Sequence, residues 1–368
     1  MKKFLIALTS LVTLFIALPG ASAESPTVLS EPTHRLLDGR FIDDVLAQKL
    51  APNGQLGKII YPPSYSFHTG RIWFIDPALV EEVTAMTKPY TLVDATPGTG
   101  SDIAIAWLAR LKTVITGSTI YAIPHGNPSE YWVNRITPHD RNYILQSSRA
   151  RLAQDLGLSV SMSESYTSTS YFSLKRDEIN AIRRADADLL KFATYMSAVQ
   201  VDNIKAAMYK ILNASLTHQR RGLLARDLDT ASAALEGTLH LAGGKFTVTS
   251  TNQKLPVTIV NGFDNQVKVN LRITSTNQRI LVSNQKNIVI AGHSKIQVLV
   301  PVRVVATGST SLDVVITNTS GSPLSPQVLY PIAITVISPI ATWITTLAAG
   351  ILFLAAVAQS IRRLRRKK

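Results

Sequence analysis

The chain reads as an α+β, multi-domain protein: an N-terminal α/β (partial barrel-like) module, a helical middle, a C-terminal immunoglobulin-like β-sandwich and one C-terminal transmembrane helix. Three observations predict this. Short apolar strand patterns alternate with helical ones from His34 to Arg135, period-two alternation dominates Lys245 to Val336, and Ile337 to Ile361 is almost uninterrupted apolar sequence. The divisions expected are 1–23 signal peptide, 34–135 α/β module, 137–240 helical region, 245–336 sandwich, 338–361 transmembrane helix and 362–368 basic tail.

At the amino terminus, Lys2 and Lys3 precede an apolar Phe4–Leu18 stretch, Pro19-Gly20 and Ala21-Ser22-Ala23. This is the pattern of a secretory leader with cleavage before Glu24. In the first module, Lys58–Tyr61, Arg71–Asp76, Tyr90–Asp94 and Thr119–Ile123 read as short strands, and Pro77–Met86 and Asp102–Thr116 as helices with apolar residues at helical spacing. Strand–helix–strand with short loops argues for right-handed parallel crossovers.

Asp140–Leu156 reads as a helix closed by Gly157. The Ser/Thr-rich stretch Ser161–Ser170 reads as a loop, and Ser173 caps a long helix through Ala198. Val201–Ala214 and Leu223–Leu235 are two further helices. In the last zone Val267, Val269, Leu271 and Ile273 alternate with polar residues, as do Ile296–Val304 and Val328–Val336. With the runs Phe246–Thr249, Leu255–Val260, Asn287–Ile290 and Leu312–Thr317, this makes about seven strands, the number of an immunoglobulin-like sandwich. The chain has no cysteine, so the cores must hold these units without disulfides and no thiolate zinc site exists.

An apolar run as long as Ile337–Ile361, followed by Arg362, Arg363, Arg365, Arg366, Lys367 and Lys368, predicts a bilayer-spanning helix with a cytoplasmic tail. The expected placement is the plasma membrane, single-pass type I, with the bulk extracytoplasmic and the lipid bilayer as anchor. Net charge is +14, of which the leader holds +2 and the tail +6, leaving +6 between them. The basic balance is therefore mostly a topology signal, and no nucleic-acid partner is expected.

Candidate chemistry centres on Asp76, Asp94 and His125, each following a predicted parallel strand. Carboxyl ends of parallel strands carry active sites in α/β folds. Asp76 and Asp94 could serve as the paired carboxylates of a glycosidase, with Glu130, Asp102 and Tyr131 as additions. Against that, Asp76 before Pro77 has the form of a helix cap, and Asp94 opens a turn-rich loop. No histidine pair has metal-ligand spacing, no nucleophile elbow occurs, and Thr96–Gly100 lacks the residues of a phosphate loop. No cofactor or metal is expected. Arg183-Arg184 and Arg220-Arg221 read as solvated charge, and Tyr61–Tyr65 and Tyr131-Trp132 as loop packing or sugar-stacking aromatics.

Tyr209–Arg221, Phe246–Gly262 with its Leu-Pro-Val-Thr-Ile-Val-Asn run, Trp73–Leu79, and Ala106–Leu111 followed by Ile120–Pro124 resemble an uncharacterised family of actinobacterial single-span cell-envelope proteins. Longer members of that family carry a fuller N-terminal α/β region, which this chain lacks after about Leu158. The resemblance implies no established activity. Genes of the family tend to lie beside a peptidoglycan-precursor lipid flippase. The expected function is therefore a membrane-anchored extracytoplasmic envelope protein, a non-enzymatic binding or scaffolding part of envelope or peptidoglycan assembly, with envelope proteins or wall polymer as partners. The alternative is a carbohydrate-active enzyme using the strand-end carboxylates.

Overall fold

The computed structural model describes residues 26–62, 71–162, 168–335 and 339–365. The leader peptide, His68 and much of the Tyr61–Tyr65 and Ser161–Ser170 stretches lie outside them. The chain begins with strand β1 (Thr27–Leu29), then helices α1 (Val45–Leu50) and α2 (Gly57–Ile60), strand β2 (Ile72–Ile75), helices α3 (Pro77–Met86) and α4 (Ser101–Ile115), and strand β3 (Thr119–Ala122). Helix α5 (Glu130–Ile136), a short 3-10 turn at Pro138–Asp140, α6 (Arg141–Leu156) and strand β4 (Ser161–Met162) follow.

The four strands are parallel and lie in chain order, β1-β2-β3-β4. A sheet that always steps in one direction is the arrangement of half a β/α barrel. Its core gathers Leu29, Trp73, Ile75, Val83, Trp107 and Ile120. Local signals explain the helices. Asp76 caps α3 with Pro77 at the first position, and Gly157 ends α6 with φ +68°.

Two short segments differ from expectation. Gly57–Ile60 is a turn of helix and not a strand. Trp107 Nε1 donates to Leu56 O at 3.4 Å, and Ile60 is fully buried, so packing on α4 sets the local conformation. Tyr90–Asp94 forms no strand; it makes only isolated bridges, Phe41 to Leu92 and Thr91 to Pro97.

Helices α7 (Arg176–Phe192), α8 (Ala198–Ile211) and α9 (His218–Thr238) come next. The single helix expected from Ser173 to Ala198 is broken after Phe192, because Ser197 and Gln200 form a reciprocal capping box that starts α8. Strand β5 (Leu239–Leu241) continues from α9, followed by β6 (Phe246–Val248), β7 (Asn252–Asn261), β8 (Val267–Ser275), β9 (Ile280–Val282), β10 (Gln285–Ile290), β11 (Ser294–Val304), β12 (Gly308–Thr317) and β13 (Val328–Ile334). One sheet has the order β10-β8-β12-β13-β6 and the other β5-β7-β11-β9. All pairs are antiparallel except β13–β6, which is parallel. Strand β13 is thus an inner strand, flanked on both sides.

Both sheets turn one face inward. Val267, Val269, Leu271 and Ile273 of β8 and Leu255, Val257 and Ile259 of β7 enter one buried cluster. That cluster also takes in Phe192, Tyr209 and Leu228 of the helices, so the helical segment and the sandwich share a core. Phe192 and Phe263 meet across it with ring centroids 5.4 Å apart.

The predicted fold class and placement need correction at the carboxyl end. Helix α10 (Pro339–Arg365) is 27 residues long, yet among the described residues no helix is long and apolar enough to cross a membrane. The unbroken apolar stretch runs only from Leu347 to Ala358, between Thr345-Thr346 and Gln359. At 1.5 Å per residue it rises roughly 18 Å, well short of the ~30 Å hydrocarbon core. A transmembrane helix, and with it a single-pass type I protein anchored in the bilayer, is therefore not supported.

Candidate functional site

The carboxyl ends of β1, β2 and β3 converge on a polar junction covered by α8. Strand β2 hands over to Asp76, whose Oδ1 accepts from Ala78 N and from Gly126 N, both at 2.9 Å. Ser30 Oγ, just past β1, donates to Oδ2 at 3.3 Å. Gly126 has φ +76°, and a Cβ there would meet Lys210 Cγ at 2.9 Å, so glycine is required on both counts. Asp76 is completely buried. Loss of hydration outweighs the two amide donors, and the neighbouring Glu82 adds to it, so the Asp76 carboxyl is pushed up to about 7.

Glu82, nearly two turns further along α3, is buried as well. It accepts from His34 N at 2.9 Å, from Thr33 Oγ1, and from Lys210 Nζ of α8 at 3.1 Å. His34 Nδ1 lies 2.6 Å from Asp43, and Arg220 reaches the other Asp43 oxygen at 2.7 Å. Burial opposes the charged form of both residues. The hydrogen bonds to Asp43 and Glu31 nonetheless raise the His34 pKa, and the His34 bond with the Arg220 charge brings Asp43 down to about 2.

His125, following β3, is buried. Its backbone N donates to Ser148 Oγ at 2.8 Å, and its Nε2 meets Glu81 Oε2 at 2.9 Å. Arg151 holds the other Glu81 oxygen at 2.8 Å. Burial lowers the His125 pKa, which favours a neutral ring donating from Nε2 and leaves Nδ1 as a buried acceptor without a donor. Burial alone would raise the Glu81 pKa, but the His125 bond and the Arg151 and Lys210 charges hold it well below the usual carboxylate range.

Beside Glu81 a cleft of about 720 Å³ opens between the 35–41 loop, α3, α6 and the start of α8. Arg35, Arg40 and Lys88 line it together with Glu81, Asp155 and Asp202. Asp155 is half-buried, and burial together with the Glu81 charge raises its carboxyl to about 6.

Asp76 and His125 are thus brought side by side, joined through Gly126. Asp94 is not with them. It is exposed and closes its own turn, accepting from Thr96 N at 3.0 Å and Thr96 Oγ1 at 2.6 Å. It does not line the cleft. Asp102 is exposed at the start of α4, Glu130 pairs with Arg141 at 2.9 Å, and Tyr131 packs edge-on against Trp132 and Tyr171. Asp76 and Asp94 therefore do not form the facing pair that glycoside hydrolysis requires.

Sequence reasoning passed over Glu81, Glu82, Lys210, Arg151 and His34. Glu82 had left a signal. It stands three residues after Leu79 and four before Met86, on the apolar stripe of α3, where a carboxylate needs a partner. One other cluster has ligand-type atoms, His139, Asp140 and Asp186, within 4.8 Å of one another. Lys205 Nζ sits 2.7 Å from Asp140 and His139 Nε2 3.1 Å from Asp186, so these side chains already form an ion-pair network.

Solved structures match part of the chain at low similarity. A cryo-EM structure of native alpha-2-macroglobulin from E. coli matches at 18% identity and a TM-score of 0.21, over 26% of this chain and 6% of its own. WR4, an MSP family member of C. elegans, matches at 8% and 0.21, over 26% of this chain and 97% of its own. A PapD-like domain of human CEP192 matches at 10% and 0.21, over 27% and 85%. Likeness this slight carries no argument about function. No curated protein matches the chain. Residues 136–368 match DUF6049, a family of unknown function, and the chain belongs to that family.

Proposed function

We propose that the protein is a non-enzymatic binding or scaffolding component of an actinobacterial cell envelope, connected with envelope or peptidoglycan assembly, and that the charged cleft beside Glu81 receives its partner. The envelope setting rests on the sequence resemblance. The binding role rests on one observation: Asp76, Glu82 and His125 are buried, with Asp76 held by Ala78 N and Gly126 N, Glu82 by His34 N and Lys210, and His125 Nε2 by Glu81, while the adjoining cleft of about 720 Å³ stays open with charges of both signs on its walls. Buried side chains held by other protein groups do not come within reach of a substrate's proton. An open polar concavity at the junction of two units is a usual place for a ligand.

The test is site-specific photocrosslinking in cells, with the probe placed at Gln154 in the cleft and, as control, at Leu281 on the sandwich. The expected result is a reproducible adduct from Gln154 that is absent from Leu281 and lost on Lys88→Glu. Absence of any such adduct, or turnover of purified peptidoglycan by the isolated protein, overturns the reading.

A further inference from the structure

A second concave surface lies between α5 and α7. Trp132, Arg135 and Ile136 of α5 and Ile179 and Arg183 of α7 line a groove of about 460 Å³, together with Leu174 and Arg176. The spacing explains the surface. Trp132, Arg135 and Ile136 stand at i, i+3 and i+4, and Arg176, Ile179 and Arg183 at i, i+3 and i+7, so each helix presents one stripe. The lining of this groove and that of the Glu81 cleft share no residue.

The groove gathers three arginines. Arg40, Arg141, Arg151, Arg184 and Arg220 all reach a carboxylate. Arg135, Arg176 and Arg183 are exposed, and among the described residues none of the three meets a carboxylate or any other hydrogen-bond partner. Three exposed guanidiniums lining one groove give it a positive wall that suits an anionic ligand. The floor between them is apolar, formed by Trp132, Ile136, Leu174 and Ile179.

We infer that this groove docks an acidic peptide segment of a partner protein, one that alternates carboxylates with apolar side chains. The carboxylates take the three arginines in bidentate fashion and the apolar side chains fill the floor. A second copy of the chain is a poor occupant, since the part between leader and basic tail itself carries +6. A nucleic acid would meet the arginines with its phosphates but has nothing to place on the apolar floor. Trp132 itself is only 7% exposed, with Tyr131 edge-on at 5.2 Å and Tyr171 stacked at 6.0 Å, so it offers no open face to a base.

The probe is a fluorescein-labelled peptide alternating Glu with Leu, titrated with the full chain and read by fluorescence anisotropy. Saturable binding is expected, weakened by added salt. It should fall by roughly tenfold or more in Arg135→Glu/Arg183→Glu and stay unchanged in Arg184→Glu, whose arginine is paired with Asp229 outside the groove. A peptide with Ala in place of Leu should bind more weakly. Both reversed arginines are exposed, and an unchanged circular dichroism melt shows that the variant folds. Equal binding by the double variant, indifference to Leu against Ala, or tighter binding of a single-stranded oligonucleotide overturns the inference. None of these outcomes touches the crosslinking result at Gln154.

Discussion

Asp76→Asn separates a structural carboxylate from a working one. The buried Asp76 carboxyl has its pKa raised from 3.8 to about 7, chiefly by loss of water. Below pH 3.8 both the folded and the unfolded chain hold its proton. Between 3.8 and about 7 the unfolded chain has released it and the fold has not, so Asp76 lowers stability progressively as pH rises through that window. Above about 7 both forms are ionised and the loss is complete. A shift of about 3 units corresponds to on the order of 4 kcal/mol.

Asparagine keeps the oxygen that accepts from Ala78 N and Gly126 N and removes the ionisable group. Asp76→Asn should therefore match the wild type near pH 4 and exceed it by up to about 4 kcal/mol at pH 8. Asp76→Ala should lose about 1 kcal/mol for the missing cap and a further 1–3 kcal/mol for the stranded Gly126 N–H. The assay is urea unfolding followed by the fluorescence of the buried Trp73 and Trp107, at constant ionic strength between pH 4.5 and 8. A difference between Asn variant and wild type that does not change with pH, or an Asn variant as unstable as the Ala variant, refutes the reasoning.

Lys210→Met leaves Glu82 buried without its counter-charge and should cost about 3–5 kcal/mol in urea unfolding at pH 7, partly recovered by adding Glu82→Gln. Trp107→Ala removes a fully buried indole from the first core and should cost about 3–5 kcal/mol in the same measurement. Asp94→Ala deletes only an exposed turn contact and should stay within about 0.5 kcal/mol of wild type, with crosslinking at Gln154 unchanged.

Segments whose signals are local were legible. Helix α3 follows from Asp76-Pro77 and its apolar spacing, and β8 from its four alternating apolar residues. Segments set by distant packing were not. Gly57–Ile60 carries β-branched residues, yet its conformation is decided by Trp107, about fifty positions away. The break between α7 and α8 was written in Ser197 and Gln200 but hidden by continuous helical periodicity on both sides. At the carboxyl end, summed hydropathy concealed the polar Thr345-Thr346 pair and Gln359 that bound the apolar stretch. In the candidate site the strand-end position identified Asp76 and His125. The groups that hold the neighbouring Glu82 and Glu81, Lys210 and Arg151, come from helices far along the chain, and nothing in the spacing ties them to β2 and β3.

The place of β13 inside its sheet has a mechanical consequence. It is antiparallel to β12 from Val328 to Ile334, parallel to β6 from Ile332 to Ile334, and followed after a few residues by α10. Tension applied through α10 would load the two ladders together. The strand could not peel from an edge, one bond at a time; both rows of hydrogen bonds would have to shear at once. The sandwich is therefore built to bear load from its carboxyl side, and single-molecule pulling from that end should meet a higher rupture force than pulling on β10, which has one neighbour.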